Sequence, residues 1–170
     1  ISSELEAKEI VEIWINEKWG EGRHGRRVHM IDREKTGVVM ANGVFDLLHR
    51  GHIELLNFAK AQGERLVVAI DNDDLVRERK GLSRPVNTAK DRKALLDSLY
   101  MVDEVIIFDT PEELKQLYVK VKADVIVKGS EWTVDEVRSR DDIPKEIDIK
   151  VFPLFDELSS TRSIEKIKNL

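Results

Sequence analysis

Cysteine is missing from this sequence altogether. Its absence excludes disulfides, thiolate zinc sites and a cysteine nucleophile, and it fits a chain working in a reducing cytoplasm. No apolar run approaches the length needed to cross a bilayer, and the segment beginning at Ile1 lacks the n-region and h-region of a secretory signal, so no membrane partner is expected. There is no surplus of positive charge either. The net charge of −5 argues against a general nucleic-acid binder. It leaves nucleotide binding open, because the local field of a cleft decides that. The Gly-x-Gly-x-x-Gly dinucleotide fingerprint does not occur, which speaks against an NAD-type oxidoreductase. Internal repeats and low-complexity tracts are absent too. With 41% hydrophobic and 36% charged residues in 170, what remains is one ordinary core, with or without an appendage.

The appendage is the first segment, residues 1–34. Ser3 with Glu6 makes a capping box, Ala7, Ile10, Val11 and Trp14 form an apolar stripe, and Gly20 stops the helix. Residues 21–27 are glycine-rich and basic and read as a solvated linker. His24 and His29 receive no role. From residue 35 to 170 apolar runs alternate with helical patterns. Strands are expected at 38–40, 65–70, 103–108, 124–128 and 148–154. Between them, Ile53, Leu55, Leu56 and Ala59 fall at helical spacing before Gly63. Thr88 with Asp91 opens a helix whose Ala94, Leu95, Leu96 and Leu99 should face a core. Thr110, Pro111 and Glu113 are a strong helix start, followed by Leu114, Leu117, Tyr118 and Val121. Ser159, Ser160 and Thr161 cap a last short helix. The stretch from Arg77 to Asn87 is basic and without period. The fold class is therefore α/β, a doubly wound Rossmann-like sheet of about five mostly parallel strands, with helices on both faces and an added N-terminal helix.

Chemistry concentrates between Val38 and His52. A buried strand runs into Asn42-Gly43, then Phe45-Asp46, then two histidines with Gly51 between them, then a helix. This order suits a phosphate. The first N–H groups of a helix carry partial positive charge, Gly51 lets an anion approach the backbone, and His49 and His52 add donors on the same side. Asp71 to Asp74, Asp73 among them, follow the second strand at the sheet end where ligands gather.

Gly43-Val44-Phe45-Asp46-Leu47-Leu48-His49-Arg50-Gly51-His52 resembles the His-x-Gly-His signature of the cytidylyltransferase-like nucleotidyltransferases. Lys80-Gly81-Leu82-Ser83-Arg84-Pro85-Val86-Asn87, Val127-Lys128-Gly129-Ser130-Glu131-Trp132 and Leu158-Ser159-Ser160-Thr161 look most like the adenylyltransferase domain of ADP-heptose synthases. Glycerol-3-phosphate cytidylyltransferases are similar as well. Ser163 stands where the family carries an apolar residue, and the first 35 residues have no counterpart. The resemblance implies attack by a phosphate oxygen of a small phosphorylated acceptor on the α-phosphorus of a nucleoside triphosphate, with pyrophosphate leaving. ATP and a heptose 1-phosphate are its first choice, with CTP and glycerol 3-phosphate or a silent nucleotide-binding module as alternatives.

Carried over residue by residue, the resemblance has His49 and His52 contact the triphosphate, while Thr161 offers its hydroxyl and backbone N–H groups to the β and γ phosphates. Ser160 and Arg162 flank Thr161, and Lys80, Arg84 and Arg92 neutralise phosphates. Asn42, Gly43, Phe45 and Gly51 lie against the nucleotide. Lys128 and Gly129 border it too, and Trp132 and Asp73 border the acceptor. Asp46 either orients a histidine or holds Mg²⁺, and orientation is the preferred expectation. No side chain is assigned to a metal; Mg²⁺ enters with the triphosphate. A homodimer is the family's habit.

Overall fold

The computed structural model describes residues 37–129, 132–153 and 160–168. The expected N-terminal helix, its linker, His24 and His29 lie outside the described residues, as do Ser130, Glu131, Leu158 and Ser159. Among the described residues five strands form one sheet in the order β3-β2-β1-β4-β5. They are β1 (Val38–Gly43), β2 (Arg65–Asp71), β3 (Glu104–Phe108), β4 (Ala123–Gly129) and β5 (Asp148–Phe152). All four neighbouring pairs are parallel. Among the described residues the helices are α1 (Arg50–Lys60), α2 (Asp73–Lys80), α3 (Ala89–Asp97), α4 (Pro111–Lys120), α5 (Val134–Asp141) and α6 (Ser160–Lys168).

Alternation along the strands sorts side chains between two cores, as a pleated strand must. Val39, Ala41, Leu66, Val68 and Ile70 face one side, where they pack with Leu55, Leu56 and Ala59 of α1 and Leu96 of α3. Met40, Ala69 and Ile126 face the other, against Leu75 of α2, Leu114, Leu117 and Tyr118 of α4, and Val137 of α5. Both faces are covered, which explains why the strands read as continuous apolar runs.

Two helices escape the sequence reading. In α2 only Leu75 and Val76 are buried, so no apolar period shows; the helix is started by Asn72, whose side chain accepts from Leu75 N. Helix α5 buries only Val137 and is opened by a Thr133–Glu136 capping box. One expected face is also corrected. Helix α3 buries Arg92 and Leu96, whereas Ala94 and Leu95 are exposed. The inward turn is set by Arg92, which has its partners inside.

The sheet sets the site through its order. Strands β1 and β4 are adjacent, and the chain leaves them toward opposite sides, so a crevice opens beyond their C-terminal ends. At the opposite end, Gly63 is needed for space rather than as a helix cap: a Cβ there would stand 2.7 Å from Val39 Cγ2 and 2.9 Å from Gly37 O. Gly63→Ala should therefore destabilise the domain by about 1–3 kcal/mol, the usual range for overpacking, and urea denaturation of the variant beside the wild type measures it.

Candidate active site

Beyond β1 the backbone turns through Phe45, whose φ of 49° is left-handed. Its buried ring lies over Gly43, where a Cβ would stand 3.2 Å from Phe45 Cε2. His49 follows as the extended N-cap of α1. One helical turn separates it from His52, and the two imidazoles stack with centroids 3.8 Å apart and planes 19° apart. Phe45 covers His52 from another side at 5.1 Å. The His49 N–H donates to His52 Nδ1 at 3.4 Å. That assigns the His52 proton to Nε2, leaving an N–H donor on the far edge of the ring. Burial first, then His49 and Lys80, lower the His52 pKa to about 4. Burial also lowers that of His49. Near neutral pH both rings are uncharged donors and acceptors. Two buried atoms of this loop have no hydrogen-bond partner, Asn42 Oδ1 and His49 Nδ1. Buried polar atoms are normally paired, so these two call for a partner from outside the protein, a water or a ligand atom.

Asp46, only 1% exposed, does not orient a histidine. Its carboxylate accepts from Arg84 Nε at 2.8 Å, from Val86 N at 2.9 Å and from Asn87 N at 2.9 Å. The Asn87 amide returns a bond to the Asp46 carbonyl at 2.8 Å. Asp46 thus locks the basic loop onto the histidine loop. Burial pushes its carboxyl up, but the Asn87 and Val86 N–H groups and Arg84 outweigh that and hold it below the usual value. With these donors in place, the carboxylate is spent on protein groups. Arg84, expected to neutralise phosphate, is instead buried and paired to Asp46. The exposed end of the basic loop is Lys80, last residue of α2, whose charge is felt at His52.

Arg92 is likewise corrected as a phosphate contact. It is 0% exposed, and its guanidinium donates to Val44 O, Asn87 O, Asp71 O and Asp73 Oδ1. Asp73, expected beside the acceptor, is held by Arg92 and by Ala89 N at 2.7 Å. Its neighbour Asp71 pairs with Arg79 at 2.6 Å.

Across the crevice, Lys128 is the penultimate residue of β4, with 6% of its surface exposed. Its ammonium meets Asp141 of α5 at 2.5 Å; burial pulls the lysine pKa down and Asp141 opposes that pull. Gly129 closes the strand. Trp132 is 42% exposed, so it is no core residue, and Arg140 sits 4.5 Å over its ring. Ser160, first residue of α6, donates from Oγ to Leu47 O at 3.1 Å. This bond brings the start of the last helix against the histidine loop. Thr161 and Arg162 follow in that helix; their side chains lie outside what the structure describes. Sequence reasoning gave no role to Asn87, Arg79 or Asp141. Only the position of Asn87 inside the basic motif signalled the first, and nothing local signalled the others.

A parallel α/β sheet whose switch point carries a strand–loop–helix with two histidines at the helix start has the layout of a nucleotide-handling domain. The cytidylyltransferase-like family model matches residues 40–166. The chain belongs to that family and is a nucleotidyltransferase. It is 43% identical over 135 residues to the bifunctional protein HldE of Pseudomonas fluorescens (strain SBW25), covering 78% of this chain and 28% of that protein. The HldE of Alcanivorax borkumensis is 39% identical over 134 residues, with 77% and 28% covered. The chain thus spans about 28% of the length of these curated relatives. A lipopolysaccharide core biosynthesis protein from Thermoplasma volcanium GSS1 superposes with a TM-score of 0.58 at 33% identity, over 69% of this chain and 95% of that one. Pantothenate synthetase from Thermus thermophilus, 17% identical with a TM-score of 0.54 over 85% of this chain and 68% of that one, shares the fold.

Removing one member of a buried ion pair strands the other, at about 3–5 kcal/mol. Asp46→Asn should lose stability on that scale, and Arg84→Met should recover part of it in the double variant; a urea double-mutant cycle checks both. For His52 the sign runs with its lowered pKa. Between the unfolded value of about 6.5 and the folded value of about 4, the unfolded chain binds more protons. Its contribution should be full above that window and be lost as pH falls through it. Unfolding of wild type and His52→Gln measured across the window should show the smaller loss in the variant.

Proposed function

We propose that this domain transfers an adenylyl group from ATP to a small sugar phosphate of the heptose 1-phosphate kind, releasing pyrophosphate. The observation that carries the reading is the stacked, neutral His49–His52 pair at the start of α1, beside the partnerless Asn42 Oδ1 and His49 Nδ1. Support for the acceptor is the Lys80–Asn87 motif, with its likeness to ADP-heptose synthases, together with the lipopolysaccharide-related structural neighbour.

The reaction asks little covalent chemistry of the protein. An acceptor phosphate oxygen forms a bond to the α-phosphorus as the bond to pyrophosphate breaks, so positioning and charge stabilisation do most of the work. In this reading His52 Nε2–H and the helix N-terminus face the α-phosphoryl oxygens, where negative charge builds. A neutral imidazole still donates one N–H while its other nitrogen accepts. Lys80 brings positive charge to the same mouth, and Ser160 holds the start of α6 where Thr161 would offer its hydroxyl to the β and γ phosphates. Among the described residues no cluster of three or more His, Asp or Glu could hold a metal ion, and the Asp46 oxygens are already engaged. In this reading Mg²⁺ would enter on the triphosphate oxygens and neutralise the leaving pyrophosphate, with these side chains binding the complex from outside.

Pyrophosphate release, measured with ATP and CTP against heptose 1-phosphate and glycerol 3-phosphate, tests the reading. ATP with the sugar phosphate should give the highest kcat/KM. CTP with glycerol 3-phosphate giving the highest value would overturn the adenylyl assignment and leave only the class. His49→Ala and His52→Ala should each lower kcat by ~10²–10³, the usual loss for one preorganised donor, in variants that still unfold cooperatively.

A further inference from the structure

The family class accounts for a phosphate grip, but not for a fully buried arginine one side chain away from it. We propose that Arg92 is a positioning residue for nucleotidyl transfer, fixing the histidine loop, the basic loop and the end of β2 in one arrangement. Four bonds carry this. Arg92 Nη1 donates to Val44 O at 2.7 Å, in the loop between β1 and the histidines. Its Nε donates to Asn87 O at 3.1 Å, in the loop that Asp46 grips. Its Nη2 donates to Asp71 O at 2.9 Å and to Asp73 Oδ1 at 2.8 Å.

Each contact is to a segment that borders the crevice, and three of the four acceptors are backbone carbonyls. A carbonyl contact fixes where the chain runs rather than what a side chain does. The guanidinium is a rigid planar fork, so it sets these segments at fixed separations from one another. Lysine has three donors on one flexible point and cannot span the same spread. Val44 lies two residues before Asp46, and Asp46 bonds Val86 and Asn87. Arg92 and Asp46 therefore close a ring through both loops. Moving Val44 shifts the backbone that leads to Phe45, whose ring packs against His52. Arg92 touches neither histidine, so it acts on the reaction only through this chain of contacts. The proposal rests on the nucleotidyltransferase class and is independent of which triphosphate and acceptor are used.

The test uses the full chain with whichever substrate pair it turns over fastest. Arg92→Lys, still folded by cooperative unfolding, should lower kcat by about 10- to 100-fold, the cost of a misplacement near 1 Å. Both KM values should stay within a few-fold of wild type. The imidazole ¹⁵N resonances of His49 and His52 should shift, although neither ring contacts residue 92. Asp73→Asn keeps the arginine and weakens one anchor, and should give the same pattern at smaller amplitude; it carries the test if Arg92→Lys does not fold. Unchanged kcat and unchanged histidine resonances in a folded variant, with only the melting temperature lowered, would make Arg92 a stabilising residue alone. A raised KM for the triphosphate with kcat and resonances unchanged would restore direct phosphate binding. Either result overturns the proposal.

Discussion

A carboxylate withdrawn from water must be met by donors, and Asp46 meets that demand with groups from one distant loop. Arg84, Val86 and Asn87 all close on it. Without them the buried charge would cost several kcal/mol; with them, the basic segment has one resting place. The segment sits against the histidine loop because this is where its charge and N–H groups are needed. Arg92 meets the converse demand, a buried cation satisfied by carbonyls and by Asp73. The mouth of the site is built from these two paired desolvation problems rather than from apolar packing.

That construction divides labour among the basic residues. Arg84 and Arg92 are consumed by the protein itself, while Lys80 is exposed at the end of α2. The positive potential available to a ligand is consequently smaller than the motif's charge count suggests. Neutral histidines fit such a mouth. Burial, their own proximity and Lys80 keep His52 uncharged, and an uncharged ring that already accepts on one nitrogen presents its N–H outward in one tautomer.

Much of the fold was legible because its signals are local. The strands are short apolar runs, and the start of α4 is announced by Thr110, Pro111 and Glu113, with Glu113 N bonding Thr110 Oγ1 as that pattern requires. The histidine loop was legible for the same reason, since strand, glycine, histidines and helix follow within fifteen residues. The roles of Asp46 and Arg92 were not. Their partners lie 38 to 41 residues away for Asp46 and as far as 48 for Arg92, so spacing carries no trace of them. The resemblance makes Arg92 a phosphate contact, and spacing makes Leu95 beside it core, until the guanidinium's acceptors turn the helix the other way. Helix α2 stayed hidden because two adjacent buried residues make no period.

The strand order has a consequence for how the chain is made. β1 is the central strand, and its partners arrive at different times: β2 follows closely, but β4 begins only at Ala123. During synthesis, β1 with β2 and β3 can assemble while one long side of β1 still waits for a neighbour. Val39, Met40 and Ala41, completely enclosed in the finished sheet, belong to that waiting edge. An unpaired apolar edge is a template for pairing with another chain. The nascent polypeptide is therefore most vulnerable to association after Phe108 has emerged and before Gly129 has, a window closed only by the arrival of β4.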